Sequence, residues 1–163
     1  PGVDLVYCDA KSFGQSGRTK TLHNPDIEKG KNDYLKHFKT YIWTYIYRRK
    51  FLVDNELEFP SERASEDTNF LTKTLLVART IRKVSEPLYL YRIRPQSLTT
   101  AKNKTRYQER LSSVRKLMIA FEEMKQNPKY ADLHLDQYDK AMQLIWYKKG
   151  VAQALKDYLK NII

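Results

Sequence analysis

The sequence contains a single cysteine, Cys8, and only five glycines among its 163 residues. One cysteine excludes an internal disulfide framework and a cysteine-rich zinc site, and it agrees with a reducing compartment such as the cytoplasm. The sequence also lacks any uncharged apolar run near the ~20 residues that a membrane-spanning helix requires. These absences favour a domain that is stabilised by an ordinary apolar core.

Aromatic and basic residues, by contrast, are abundant. The chain has 12 tyrosines, 6 phenylalanines and 2 tryptophans, with 41% hydrophobic and 30% charged residues. This composition excludes collagen-like and low-complexity chains and argues against disorder. The net charge of +11 favours an anionic partner, which could be a nucleic acid, a phosphorylated small molecule or an anionic membrane. A basic surface without a specific partner is the alternative interpretation.

The first hundred residues have a mixed pattern. The segment Val3–Cys8 is β-branched and aromatic and predicts a strand, whereas the glycine-rich and polar residues 11–32 predict a loop. The aromatic run Tyr41–Tyr47 is compatible with a buried strand or with the start of a helix that continues through Leu52, and periodicity alone leaves both open.

A helix is predicted at about residues 66–79, where apolar residues recur at helical spacing. Ser65 is a candidate N-terminal cap, and the acids that follow it suit the positive end of the helix dipole. Two short strands are predicted next, at residues 81–84 and 87–92.

After residue 101 the pattern becomes helical. Apolar residues at spacings of four and three predict one long helix, which ends at Asn127-Pro128, and a second long helix that Gly150 interrupts. The sequence therefore predicts two parts, a mixed α/β part at 1–101 and an α-helical extension at 102–163.

The α/β part also contains an ordered set of short motifs. Along the chain these are Tyr47-Arg48-Arg49-Lys50-Phe51-Leu52, Phe59-Pro60, Glu66-Asp67, Glu86-Pro87-Leu88-Tyr89-Leu90-Tyr91-Arg92 and Ser97-Leu98. In this order and at this spacing they resemble the C-terminal half of family 2 glycosyltransferases, bacterial enzymes with the GT-A fold. The resemblance covers about residues 1–101.

The resemblance implies an α/β fold, the C-terminal portion of a GT-A nucleotide-diphospho-sugar transferase, followed here by a long helical hairpin. It implies inverting transfer of a sugar from a nucleotide-diphosphate donor to a hydroxyl of a glycan or cell-surface polysaccharide. The family holds Mn²⁺ or Mg²⁺ with an Asp-x-Asp motif in its other half, and no such motif occurs in this sequence. We therefore expect a C-terminal fragment that is inactive alone, with the metal ligands mostly outside this chain.

The pair Glu66-Asp67 is the candidate catalytic group. Inverting transfer needs a carboxylate that takes the proton of the attacking hydroxyl. The resemblance places this base at Asp67 and makes Glu66 an acceptor-binding or orienting neighbour. The alternative is that both acids only complement the helix dipole.

Arg92, Arg94 and Ser97 are the candidate donor phosphate-binding residues. Side chains alternate along a strand, so the two arginines are expected on one face, where guanidinium groups would bind a diphosphate. The alternative is a solvated strand edge, or an ion pair with Glu86 or Glu66.

Trp43 is the candidate acceptor-binding residue, because an indole ring can stack on a sugar, although core packing is the commoner role of aromatic residues. The three histidines, His23, His37 and His134, are expected to be isolated surface or core residues. The sequence therefore predicts no metal site within the chain.

The helical extension has several candidate roles. It could rest on an anionic membrane, which would place the protein at the inner face of the membrane, form a homo-oligomer interface, or simply present a basic surface. A non-enzymatic basic module for nucleic acid is the competing function. The dispersed basic residues and the absence of a nucleic-acid motif argue against a specific nucleic-acid partner.

Overall fold

The computed structural model describes residues 2–14, 17–61, 64–94 and 105–162. Its strands are β1 (Leu5–Phe13), β2 (Thr19–Leu22), β3 (Tyr45–Tyr47) and β4 (Ile81–Arg92). Its α-helices are α1 (Lys31–His37), α2 (Arg49–Asp54), α3 (Glu66–Val77), α4 (Arg106–Gln126), α5 (Asp139–Ile145) and α6 (Ala152–Ile162). Short 3₁₀ helices occupy Ile27–Lys29, Ile42–Thr44, Pro128–Leu133 and Leu135–Tyr138, and a π-helical segment, Trp146–Val151, joins α5 to α6. The predicted mixed α/β class is confirmed.

Strand β1 is the centre of the sheet. It pairs with β4 in parallel along one edge, and on its other edge it pairs antiparallel with β3 and then with β2. The predicted strand at Val3–Cys8 is therefore present but longer. The prediction of a loop over residues 11–32 was wrong in part. Residues 23–26 are irregular, but the segment also contains the end of β1, all of β2 and the first two residues of α1.

Strand β4 joins the two strands predicted at 81–84 and 87–92 into one. Cys8 pairs with Val84 and Ala10 with Tyr89, so Asp9 alone lies opposite residues 85–88 of β4. Such a bulge accommodates Pro87, which has no N–H to donate to a regular ladder. The sequence signal for a break was real, but pairing with β1 continues on both sides of it.

The helices pack into one hydrophobic core with the sheet. Leu71, Leu75 and Leu76 of α3 are fully buried, and the same cluster includes Leu117 of α4 and Met142 of α5. The helices after residue 101 thus cover apolar side chains of α3.

The second long predicted helix is divided. It begins only at Asp139, after the two 3₁₀ segments, and its middle is the π-helical turn that contains Gly150. A Cβ atom placed on Gly150 would lie 3.3 Å from Trp146 Cε3 and 3.4 Å from Val114 Cγ1. Glycine at this position therefore allows the helix to approach α4 closely, which compensates for its low helix propensity. Among the described residues, no helix is both long and apolar enough to cross a membrane.

A buried carboxylate connects the start of β1 to the link between α3 and β4. Asp4 Oδ2 accepts hydrogen bonds from the N–H groups of Arg79 (2.8 Å) and Thr80 (2.9 Å), and the Arg48 guanidinium donates to Oδ1. Burial by itself raises the pKa of Asp4, but these hydrogen bonds outweigh it and the pKa lies below its ordinary value. Asp4 thereby positions α3, the helix that carries the predicted catalytic base.

Candidate functional site

The first turn of α3 carries Glu66 and Asp67, both half-buried. Asp67 Oδ1 accepts a hydrogen bond from the N–H of Thr68 at 2.7 Å. A carboxylate at this helix end lies in the positive field of the backbone dipoles. The structure therefore places both predicted residues on a rigid element, at a helix start as the sequence indicated.

Ser65 does not cap this helix, so that prediction was wrong. Its backbone is left-handed, with φ at 65°, and its side chain makes no capping hydrogen bond. Its Oγ instead accepts a hydrogen bond from Arg110 Nη1 of α4 at 2.7 Å. Arg110 is itself fixed by Asp157 of α6, whose Oδ2 lies 2.8 Å from Arg110 Nε. The start of α3 is thus attached to α4 and α6.

Lys149, in the π-helical segment, lies within electrostatic reach of Asp67. Burial lowers the pKa of Lys149, the positive charge of Lys39 lowers it further, and the negative charge of Asp67 raises it. The Lys149 ammonium also lies 5.2 Å from the centre of the Phe38 ring. Sequence reasoning did not place Lys149 near Asp67, because nothing local to either residue indicates the packing of this segment near α3.

Trp43 belongs to an aromatic cluster that we define as Tyr41, Trp43, Tyr89 and Tyr91. The Trp43 ring is stacked on Tyr91 with centroids 4.9 Å apart and an interplanar angle of 7°. Tyr41 lies at 5.2 Å and Tyr89 at 4.4 Å from the same ring. Trp43 is half-buried, whereas Tyr89 is 38% exposed. Two of the four rings in this cluster, Tyr89 and Tyr91, thus come from β4.

The structure also decides between the strand and the helix that the sequence left open for Tyr41–Tyr47. Ile42–Thr44 is a 3₁₀ turn and Tyr45–Tyr47 is β3, after which α2 begins at Arg49. Tyr45 is buried and stacks on Tyr7 of β1, and Tyr47 packs partly buried against the same core, so these two tyrosines serve the core, whereas Ile46 between them is exposed.

The predicted donor residues lie at the end of β4. Arg92 is the last residue of the strand and Arg94 follows two residues later, and both are exposed. Because β4 ends at Arg92, strand alternation does not fix the direction of Arg94. Ser97 lies outside the described residues. The phosphate-binding role of these three residues stays a prediction.

His23 and His37 are surface residues, as expected, but neither is isolated, because each lies next to a carboxylate. His23 Nδ1 lies 2.7 Å from Asp9 Oδ2, and His37 Nδ1 lies 3.5 Å from Asp33 Oδ1. Both histidines line a surface cleft of about 500 Å³ that also includes Lys39. Hence Lys39 lies both in this cleft and near Lys149.

Asp9 is the buried member of the His23 pair. Burial raises its pKa, but the N–H of Asn24, the His23 ring and the Lys83 ammonium together lower the pKa below its ordinary value. Asp9 Oδ1 accepts from Asn24 N at 2.9 Å and lies 3.4 Å from Lys83 Nζ. Through these contacts Asp9 of β1 holds His23 and Asn24, two residues that line the cleft, in place.

Within the part of the chain that the structure describes, no group of three or more His, Cys, Asp or Glu residues is placed to hold a metal ion. The divalent metal that the resemblance implies stays a prediction, with its ligands expected mostly in another part of the protein.

Comparison with known proteins identifies glycosyltransferase-named relatives. The chain is 30% identical, in an alignment of 132 residues that covers 73% of the chain, to a protein named uncharacterized glycosyltransferase EpsJ from Bacillus subtilis (strain 168). It is 29% identical, in an alignment of 120 residues that covers 67% of the chain, to the putative glycosyltransferase EpsH of the same organism. The chain spans 38% and 33% of the lengths of these relatives.

No family model matches the chain, and no solved structure matches it. The two relatives support a relationship to glycosyltransferases, and the mixed α/β architecture is consistent with a domain of such a protein.

Proposed function

We propose that this chain forms the acceptor-side part of an inverting glycosyltransferase of family 2 with a GT-A fold. The relationship to proteins named glycosyltransferases gives the general class. The observation that carries the finer proposal is Asp67, a half-buried carboxylate in the first turn of α3, the helix whose start is bound to α4 through Ser65 and Arg110.

In the proposed reaction Asp67 acts as the general base. The acceptor hydroxyl oxygen attacks the anomeric carbon of the donor sugar, and its proton passes to the Asp67 carboxylate as the new C–O bond forms. The bond between the anomeric carbon and the phosphate oxygen breaks on the opposite face, and the nucleoside diphosphate leaves with its electron pair. Glu66, in the same helix turn, orients the acceptor.

The leaving diphosphate requires positive charge. Arg92 and Arg94 supply it in this proposal, together with Ser97 and with Mn²⁺ or Mg²⁺ held by another part of the protein. The acceptor would be a glycan or a cell-surface polysaccharide.

The aromatic cluster supports the acceptor side of the proposal. A sugar ring that stacks on such a cluster gains about 1 kcal/mol, which corresponds to roughly a fivefold to tenfold change in affinity. Trp43→Ala is therefore expected to raise the KM for the acceptor by roughly fivefold to tenfold, because it removes the central ring. The KM for the donor should be unchanged in the same steady-state assay, which uses a protein that joins this chain to a donor-binding region.

Trp43→Phe is the matched control, since it retains a flat ring between Tyr41 and Tyr91. It should keep most of the acceptor affinity. An unchanged acceptor KM in the folded Trp43→Ala variant would show that the cluster is only a packing element.

The chain by itself is expected to bind UDP-sugars or GDP-sugars with a Kd no better than about 1 mM. Arg92 and Arg94 are exposed, and exposed charges are largely screened by salt. Isothermal titration calorimetry with and without Mn²⁺ measures this directly. Micromolar, metal-dependent binding would contradict our proposal that the metal ligands of the donor site lie mostly outside this chain.

A further inference from the structure

The last helical region exposes a continuous row of apolar side chains. Along the π-helical segment and α6 these residues are separated by four, four, three and one positions, so they share one side of the helix. We call them the apolar stripe: Tyr147 (61% exposed), Val151 (39%), Leu155 (57%), Tyr158 (44%) and Leu159 (47%).

A different side of the same helix attaches it to the core. Gly150, Ala154 and Asp157 are buried, and they recur at the spacing of one helix face. Asp157 forms its ion pair with Arg110 of α4 on this side. The helix is therefore held by one face, and the apolar stripe remains outside the core, although the ring of Tyr158 also packs edge-on against Tyr107 of α4.

Within the last helical region the side-chain charge is mostly positive. Residues 146–162 contain four lysines and a single acid, Asp157. That acid is 8% exposed and is neutralised by Arg110. Lys148 and Lys156 are exposed, and they lie three positions before Val151 and Leu159, so they border the stripe.

We propose that the apolar stripe and its bordering lysines form a docking surface for an anionic lipid bilayer, on which α6 lies in the plane of the interface. An apolar row flanked by lysines is the pattern of helices that insert partly between lipid headgroups. The inference goes beyond the proposed function, because it concerns where the protein is held and not what it transfers.

Charge favours a bilayer over a second copy of the chain. In a two-fold symmetric dimer the same surface patch meets itself, so the lysines that border the stripe would be brought near their own copies. An anionic membrane surface instead attracts each of these lysines while the apolar side chains leave water.

The test is co-sedimentation of the chain with vesicles of phosphatidylcholine alone and of phosphatidylcholine mixed with phosphatidylserine. The wild type is expected to sediment with the mixed vesicles, to a much smaller extent with the neutral ones, and less as salt is raised. Circular dichroism of each variant verifies that it is folded.

Two double variants separate the two components of the surface. Leu155→Gln/Leu159→Gln removes apolar area from the stripe, and Lys148→Glu/Lys156→Glu reverses its bordering charge. Each is expected to lower the partition constant on mixed vesicles by about tenfold or more. The charge variant should also lose the salt dependence.

Matched controls lie elsewhere on the surface. Val53→Gln/Leu88→Gln changes two exposed apolar residues, and Lys20→Glu/Lys29→Glu makes the same change in net charge at two exposed lysines. Both controls should bind vesicles much more tightly than the stripe variants do.

Three outcomes would overturn the proposal. The first is no binding of the wild type to mixed vesicles at low salt, and the second is equal loss in the stripe and control variants. The third is a dimer of the lipid-free wild type that Leu155→Gln/Leu159→Gln abolishes in analytical ultracentrifugation, which would identify a second copy as the occupant. None of these measurements depends on sugar transfer, so their failure is distinct from failure of the proposed function.

Discussion

Asp67→Asn is expected to lower the rate of sugar transfer by a factor of about 10² to 10⁴, because it removes the proton acceptor and keeps the shape of the side chain. The Oδ1 atom that accepts from the N–H of Thr68 would be retained, so the start of α3 should stay in place. The measurement is kcat for transfer by a protein that joins this chain to a donor-binding region, with the donor KM as an internal reference.

Asp54→Asn is the matched control for this variant. Asp54 is exposed on α2 and forms an ion pair across one helix turn with Lys50, an arrangement that contributes little to stability. It should leave kcat unchanged. If Asp67→Asn also retained the wild-type kcat, Asp67 would not be the base, and the two acids of α3 would be helix-end charges only.

Asp4→Ala is expected to lower the free energy of unfolding by about 3 kcal/mol, the largest stability effect that we predict. The substitution leaves the backbone N–H groups of Arg79 and Thr80 without their buried acceptor and removes the partner of Arg48. Urea denaturation of the wild type and the variant at neutral pH measures the difference.

The loss of stability caused by Asp4→Ala should also become smaller as the pH is lowered. The pKa of Asp4 is lower in the folded chain than its ordinary value of 3.8. Its contribution is therefore fully present above about pH 5 and is lost as the pH falls through 3.8 towards the lowered pKa of the folded chain. The difference between wild type and Asp4→Ala should shrink between pH 5 and pH 3, and a constant difference across about this range would contradict the charged role.

Asp9 contributes in the same sense, since its pKa is also lowered in the folded chain. The wild type itself should thus lose stability at acid pH through both residues.

Local signals in the sequence were sufficient for the helices that carry the clearest periodicity. The spacing of Phe70, Leu71, Thr74 and Leu75 predicted α3, and the structure confirms it from Glu66 to Val77. The apolar residues after position 104 predicted α4 correctly, and Asn127 ends it as expected. These features depend on residues within one or two helix turns, which is the range over which side-chain periodicity and helix-end preferences act.

Signals of the same kind failed where strand pairing decided the outcome. The polar stretch after residue 11 was interpreted as a loop, yet Lys11 and Ser12 lie in β1 because both edges of that strand are paired. Strand propensity is weak beside such pairing. Ser65 has the ordinary residue type of a helix cap, but Arg110 binds its hydroxyl instead.

The sequence by itself therefore determined the α/β composition, the positions of α3 and α4, and the presence of a carboxylate pair at a helix start. Only the tertiary structure decided that Lys149 lies within electrostatic reach of Asp67 and that Trp43 stacks on Tyr91. Both relations depend on packing and strand register between distant segments. The apolar stripe has the same origin. Its periodicity is local, but which side of α6 is left uncovered depends on how Gly150 and Asp157 dock on α4.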